Sequence, residues 1–256
     1  YGQGLAMLQR AVALAQEIEH NEWLCGALYL LGLTELDLLA LPAARQHLEQ
    51  ALALANEMGS MLHAGITGSH LILVDIGQKE WSKAEHALRS QLSPDLPMHR
   101  LTERFLWRAR AELALAQGDA HLALQISDRL FMTAANAVDH AISAIPYLAY
   151  LRGRALTALQ CWTEAEATFQ ATLCTVQVQE APRLLWRLQL ALGQLYQAQS
   201  RASEAAQTFA AARTVIEEIA ANIPDLELRA NFLRQATAQL PPPRSRVPLQ
   251  VAKQTY

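Results

Sequence analysis

Apolar residues recur along this chain at the three- and four-residue spacing of one face of an α-helix. The stretch QRAVALAQEIE at residues 9–19 shows this spacing, and EQALALANEMG at residues 49–59 repeats it forty positions later. Good helix formers such as alanine, leucine and glutamine dominate, and β-branched residues do not alternate with polar ones over a useful length. The pattern therefore predicts an all-α protein, and its recurrence indicates an array of repeats.

The same spacing predicts the position of each helix. Pro42, Pro182 and Pro224 fall at first-turn positions, where proline has no helical hydrogen bond to lose. The end of the chain, PPPRSRVPLQVAKQTY, has too few apolar residues to fold alone. We therefore expect a helical array over residues 1–240 and a flexible linker or tail over residues 241–256. The predicted helices are at about 2–20, 22–39, 42–58, 61–77, 81–92, 98–117, 119–136, 139–160, 163–179, 182–199, 202–221 and 225–239.

Small residues recur at equivalent positions of the predicted repeats. The clearest unit, LGQLYQAQSRASEAAQTFAAA at residues 192–212, has small residues at Gly193 and Ala205 and large ones at Tyr196 and Phe209. We expect the small pair to meet where the two helices approach, with the aromatic pair beside them. The alanines equivalent to Ala205 recur at steps of 40, 39, 42 and 40 residues, and they are Ala44, Ala84, Ala123, Ala165 and Ala205.

This pattern of small and large residues resembles the tetratricopeptide (TPR) repeat. The resemblance implies a right-handed superhelical solenoid of antiparallel helix pairs, with repeats of about 40 residues where the standard repeat has about 34. HEAT-like repeats have a similar period and are the alternative fold. Because residues 2–20 align with residues 42–58, the array is expected to start in the middle of a repeat. The unpaired apolar face of this first helix favours self-association through it.

The segment AARTVIEEIAANIPDLELRANFLRQATAQLPPPR, residues 211–244, carries a second resemblance. It is similar to the end of the helical-repeat region in large bacterial ATPase-linked (STAND-type) regulators. One branch, the LuxR-type transcription regulators similar to the maltose-regulon activator, adds a DNA-binding domain after such a tail, and ATPase and nucleotide-cyclase fusions carry the same region. The resemblance implies a sensor or scaffold for signal transduction and transcription regulation, which binds a protein, a peptide or a small effector beside flanking ATPase and DNA-binding domains.

Composition and motifs argue against other classes of function. The 21 Lys and Arg residues against 24 Asp and Glu, with a sequence pI of about 6.3, argue against direct binding of nucleic acid. The chain has no Gly-rich phosphate loop, GxGxxG, HExxH or GxSxG motif, so we expect no catalytic residue, cofactor or metal site. An unrecognised enzyme with its site in a groove is the alternative. The longest apolar run contains Glu35 and Asp37, which argues against a membrane span, and the three cysteines suit a cytoplasmic protein with free thiols.

A binding groove is predicted where the first helix of each pair lines the concave side of a tetratricopeptide array. Arginine grips a carboxylate or a phosphate through a planar fork, and tyrosine adds flat apolar area with a hydroxyl at its edge. We therefore expect a small anionic effector or an acidic peptide to be held by Arg108, Arg154 and Arg187. The alternative is that these arginines pair with Glu112 and neighbouring carboxylates. The predicted groove residues are Tyr29, Ser69, Arg108, Glu112, Tyr147, Tyr150, Arg154, Arg187, Gln194 and Gln197.

Overall fold

The computed structural model describes residues 1–93, 95–135, 145–178 and 181–242, and within these ranges it is all-helical, without strands. The predicted all-α class is therefore confirmed. Part of the predicted helix at 139–160 and most of the predicted tail at 241–256 lie outside the described residues. The helices are α1 Gly2–Glu17, α2 Asn21–Asp37, α3 Leu41–Glu57, α4 Met61–Gly77, α5 Trp81–Gln91, α6 Leu101–Gln117, α7 Ala120–Ala135, α8 Ile145–Ala158, α9 Trp162–Val178, α10 Pro182–Ala198, α11 Ala202–Ala221 and α12 Leu226–Thr237.

The helices pack in two sets of contacts. Each helix contacts the next one along the chain, and the helices α2, α4, α6, α8 and α10 also contact one another in that order. We call these five helices the even-helix row. Within the described ranges, none of the helices combines the length and the apolar character needed to cross a bilayer.

One type of three-residue turn joins most of these helices. Its central residue has a positive φ, for example 62° at Lys79, 60° at Gln160 and 61° at Ser200. The amide of the following residue donates to a carbonyl five residues earlier, as the Cys161 N–H does to the Leu156 oxygen at 2.9 Å. This hydrogen bond is typical of the Schellman cap, which usually places glycine at the positive-φ position. The same turn conformation therefore recurs even at positions where the sequence has no glycine.

The equivalent alanines and glycines are buried, and the nearest side chain to each glycine is the large residue of the facing helix. Ala44, the alanine of the first full unit, is fully buried, as are Ala84, Ala123 and Ala165, and Ala205 is 5% exposed. The nearest neighbour of Gly193 is the ring of Phe209, since a Cβ at Gly193 would lie 2.6 Å from its Cε1 atom. A Cβ at Gly153 would likewise lie 2.4 Å from Cε1 of Phe169. In these two units the glycine therefore makes room for an aromatic ring sixteen residues later, whereas at Gly32 the carbonyl oxygen of the equivalent alanine, Ala44, is among the nearest atoms.

The beginning and the end of the described chain contact each other. The Asp37 carboxylate, at the end of α2, lies 3.5 Å from Arg183 and 3.8 Å from Arg187 of α10. The side-chain amide of Asn231 in α12 donates to the Leu39 carbonyl oxygen at 3.3 Å. These contacts bring residues of α2, α10 and α12 together, although they lie far apart in the sequence.

The first helix is partly covered by the last two. A Cβ at Gly2 would lie 2.3 Å from the Asn222 carbonyl oxygen, so α1 begins against the turn between α11 and α12. Leu5 is buried in the same core cluster as residues of these helices, whereas Met7 and Leu14 remain exposed. The apolar face that predicts self-association is therefore only partly buried within the chain.

Candidate functional site

A cavity of about 400 Å³ is lined by residues of all five helices of the even-helix row. Asp37 is the sole carboxylate among the described residues that line it, whereas four arginines do so. The lining thus has a formal excess of three positive charges, although the whole chain has a net charge of −3. We call it the arginine cavity, after Arg104, Arg108, Arg183 and Arg187.

Arg104 is held in this lining by uncharged acceptors. Its guanidinium donates to the carbonyl oxygens of Met98 at 3.2 Å and Leu130 at 2.9 Å, and to the Thr133 hydroxyl at 2.7 Å. Burial lowers the pKa of Arg104, because the charged form loses hydration. The hydrogen bonds fix the direction of this guanidinium without neutralising its charge.

Arg108 stands one helical turn further along α6, and its charge helps to hold the pKa of Glu112 below the usual range. Its guanidinium carbon lies 3.8 Å from the centroid of the Tyr147 ring, a stacked cation–π contact. Its Nε–H is buried and makes no hydrogen bond, and no ion pair joins Arg108 to any of the described residues. Arg108 is therefore a positioned cation with an unused donor.

The two arginines of α10 share one carboxylate. Arg183 and Arg187 both pair with Asp37, and Arg187 also donates to the Asp37 carbonyl oxygen at 3.4 Å. The Arg183 side chain is 55% exposed and that of Arg187 is 20% exposed, so Arg187 is the more desolvated of the two. One carboxylate leaves this pair with a positive charge in excess.

Three aromatic rings from different helices form another part of the lining. The His70 ring lies between Tyr29 and Phe105, with centroid distances of 5.5 Å and 5.0 Å and edge-to-face angles. Its Nδ1–H donates to the Ile66 carbonyl oxygen at 2.7 Å, which leaves the lone pair on Nε2. Burial, and then the charge of Arg108, lowers the pKa of His70 to about 4, so the ring is neutral at pH 7.

A buried polar network supports the cavity from behind. Glu112 accepts hydrogen bonds from Arg154 Nη1 at 2.8 Å and from the Tyr147 hydroxyl. Burial opposes ionisation of Glu112, but the Arg154 guanidinium and the Tyr147 hydroxyl hold the pKa of this carboxyl below its usual range. Tyr150 packs edge-to-face on Tyr147 at 5.7 Å. The ring on which Arg108 stacks is thus held at both its face and its hydroxyl.

A second cavity, of about 520 Å³, adjoins the first and shares part of its lining. Arg108 and Arg187 line both cavities, but here they face two carboxylates, Asp37 and Glu112, so the formal charges balance. The shared lining residues are Leu33, Asp37, Arg108, Tyr147 and Arg187. The positive excess therefore belongs to the arginine cavity and not to its neighbour.

The structure separates the ten predicted groove residues into three groups. Tyr29, Arg108, Tyr147 and Arg187 line the arginine cavity, and Glu112 lines the second one. Tyr150 and Arg154 belong to the network behind Tyr147 and line neither cavity.

The remaining three predicted residues lie elsewhere. The buried Ser69 hydroxyl donates to the Ile66 carbonyl oxygen at 2.7 Å, because this side chain points back along its own helix. Gln194 and Gln197 are exposed in the second half of α10, beyond the turn that carries Arg187, and line neither cavity.

Four important lining residues escaped the sequence reasoning. Arg104 precedes Arg108 by four positions, and Arg183 precedes Arg187 by four, so each pair shares a helix face. That spacing was visible in the sequence and could have identified both arginines. His70 and Phe105 carry no such signal, because an aromatic residue in an apolar helix usually belongs to the core.

Searches for known chemistry or relatives give no assignment. Among the residues that the structure describes, no group of three or more histidine, cysteine, aspartate or glutamate side chains is placed to hold a metal ion. No protein-family model matches the chain, and a search of curated proteins returned no significant match.

Proposed function

We propose that this chain is a non-catalytic ligand-binding module whose arginine cavity takes up a small anionic molecule. The observation that carries the proposal is the lining itself, in which four guanidiniums face a single carboxylate, and Arg108 has an unbonded Nε–H and no salt bridge to the described residues. A partly buried cation costs free energy unless a counter-ion compensates for the hydration that it loses. An anion in the cavity supplies that counter-ion and accepts the unused hydrogen bond.

The size of the cavity favours a small molecule over an acidic peptide. Its volume of about 400 Å³ lies within the range of small-molecule sites, roughly 300–1,000 Å³. An extended peptide needs an open groove along several repeats. The lining residues instead gather around one cavity of that volume.

The wider role that we propose follows the two resemblances in the sequence. The buried equivalent alanines, the recurrent turn and the contacts along the even-helix row support a right-handed tetratricopeptide-like superhelix. The segment at residues 211–244 supports a place in a cytoplasmic, ATPase-linked bacterial regulator of the LuxR type. In such a protein the module senses an effector for its flanking domains. A nucleotide-cyclase fusion is the alternative context.

The proposal is tested by titrating simple anions at constant ionic strength. Inorganic phosphate, sulfate and succinate each replace chloride, and calorimetry and the melting temperature report binding. A ligand at ten times its Kd stabilises the folded state by about 1.4 kcal/mol. We expect at least one of these anions to bind the parent and to lose binding in Arg108→Gln.

The control for this titration is Arg10→Gln, which removes an exposed cation that lies on α1, outside the cavity. This variant is expected to bind as the parent does. Circular dichroism checks that both variants keep their helical content. If Arg108→Gln binds them as well as Arg10→Gln does, or if neither these anions nor any of the organic anions tested below binds, the proposed function is wrong.

A further inference from the structure

We infer that the ligand of the arginine cavity is a phosphate monoester that carries an aromatic ring. Its phosphate contacts Arg108 and Arg187, and its ring contacts the aromatic wall formed by Tyr29, His70 and Phe105. This inference rests on the proposed function and adds the chemical class of the ligand.

The aromatic wall is the reason for expecting an aromatic ring in the ligand. Tyr29 and Phe105 are only partly buried and both line the cavity, with His70 between them. Rings pack on other rings in offset or edge-to-face arrangements, which a flat ligand matches and a bulky aliphatic one does not. His70 is uncharged at neutral pH, so this part of the lining favours an apolar body over a second charged group.

The positive charge of the lining is the reason for expecting a phosphate group in the ligand. The lining exceeds neutrality by three positive charges, and the arginines come in pairs from two helices, α6 and α10. A carboxylate brings one negative charge and two oxygens, whereas a phosphate monoester brings about −1.5 to −2 at pH 7 and three acceptor oxygens. A tetrahedral group can accept hydrogen bonds from both helices at once, while a planar carboxylate engages one guanidinium fork.

Tyr147 prepares Arg108 for this contact, and it acts as a positioning residue. Its ring lies under the guanidinium at 3.8 Å, and its hydroxyl is bonded to Glu112. The plane of Arg108 is therefore fixed before a ligand arrives, and the buried Nε–H is left for an acceptor. A site that is already ordered loses little side-chain entropy when the ligand binds.

Four probes separate the parts of this inference in calorimetric titrations at pH 7. They are inorganic phosphate, phenyl phosphate, cyclohexyl phosphate and benzoate. We expect phenyl phosphate to bind about tenfold more tightly than each of the other three, a difference that calorimetry resolves well. Phe105→Leu is expected to remove most of this preference. The matched control is Trp23→Leu, since Trp23 is 60% exposed and lies outside the lining.

The outcomes distinguish this inference from the proposed function. If cyclohexyl phosphate binds as tightly as phenyl phosphate, the aromatic requirement is wrong, and if benzoate binds as tightly, the phosphate requirement is wrong. Equal Kd values for phenyl phosphate and inorganic phosphate also overturn the inference, although Arg108-dependent phosphate binding then still supports the proposed function. If sulfate or succinate binds but none of the phosphate compounds does, the inference is likewise wrong, and the proposed function is still supported. Failure of every anion overturns both.

Discussion

Replacement of Glu112 by glutamine tests the buried ion pair behind the arginine cavity. The Glu112 side chain is 13% exposed and that of Arg154 is 33% exposed, with 2.8 Å between the Glu112 Oε2 and Arg154 Nη1 atoms. The Tyr147 hydroxyl occupies the other carboxylate oxygen. Glutamine keeps the shape of the side chain but removes its charge, which leaves the Arg154 guanidinium without a counter-ion.

The expected cost follows from how far the pair is buried. Breaking a fully buried pair costs about 3–5 kcal/mol, whereas an exposed pair contributes about 0–1 kcal/mol. Because about a third of Arg154 remains hydrated, we expect Glu112→Gln to lower the free energy of unfolding by about 2–3 kcal/mol. For a chain of this size, that corresponds to a fall in melting temperature of about 4–12 °C.

A double-mutant cycle measures the pair itself. Urea unfolding followed by circular dichroism is carried out on the parent, Glu112→Gln, Arg154→Met and the double variant. We expect the double variant to recover at least about 1 kcal/mol of the summed losses, because it leaves no unpaired charge. The control is Glu164→Gln, which breaks the exposed pair with Arg152 at 3.7 Å and is expected to cost less than about 1 kcal/mol. A zero coupling energy, or equal costs for the two glutamate variants, would refute the reasoning.

Three further predictions concern packing, turns and pH. Gly153→Ala is expected to lower the free energy of unfolding by about 1–3 kcal/mol, because its Cβ would lie 2.4 Å from the Phe169 ring. Its control, Gly26→Ala, has open space at its Cβ and is expected to stabilise the fold by about 0.5–1 kcal/mol. Equal effects of the two substitutions in thermal unfolding would contradict this packing. Gln160→Gly is expected to stabilise by about 0.5–1 kcal/mol, since φ at this position is 60°, and an unchanged or lower melting temperature would count against the turn. The pKa of His70 is about 4 in the folded chain and about 6.5 in the unfolded chain, so the free energy of unfolding falls by up to roughly 3 kcal/mol as the pH drops from 6.5 to 4. Urea denaturation of His70→Gln at several pH values is expected to show a smaller fall. An equally steep dependence of stability on pH in His70→Gln and the parent would show that His70 is not the group responsible.

The helices could be predicted from the sequence because their signal is local. The spacing of apolar residues and prolines such as Pro42 and Pro182 sets most helix boundaries within a few residues of the observed ones. The turns are different, since a rule that looks for glycine at a helix end does not recognise Lys79, Gln160 or Ser200 at positive φ. There the hydrogen bond from the turn back to the end of the preceding helix holds a conformation that the residue itself disfavours.

The site could be predicted only in part, because its members meet across long stretches of sequence. The register selected Arg108 and Arg187, which line one cavity, and it also selected Arg154, which lies behind Tyr147 and is paired with Glu112. Nothing in the sequence around Asp37 identified it as a residue of this site, because its contact with Arg187 spans 150 residues of sequence. No local pattern shows that the end of α2 neutralises part of the charge on α10.

The four cations of the arginine cavity coexist because each one is stabilised in a different way. Arg104 is bonded to three uncharged oxygens, Arg108 lies on an aromatic ring, and Arg187 shares Asp37 with the partly hydrated Arg183. The first two arrangements leave the charge in place, and within the lining only Asp37 reduces it. A second carboxylate in the lining would relieve the remaining repulsion, but it would also compete with any anion for the same donors. The lining therefore holds its four cations in place and keeps the positive excess that the proposed anion would neutralise.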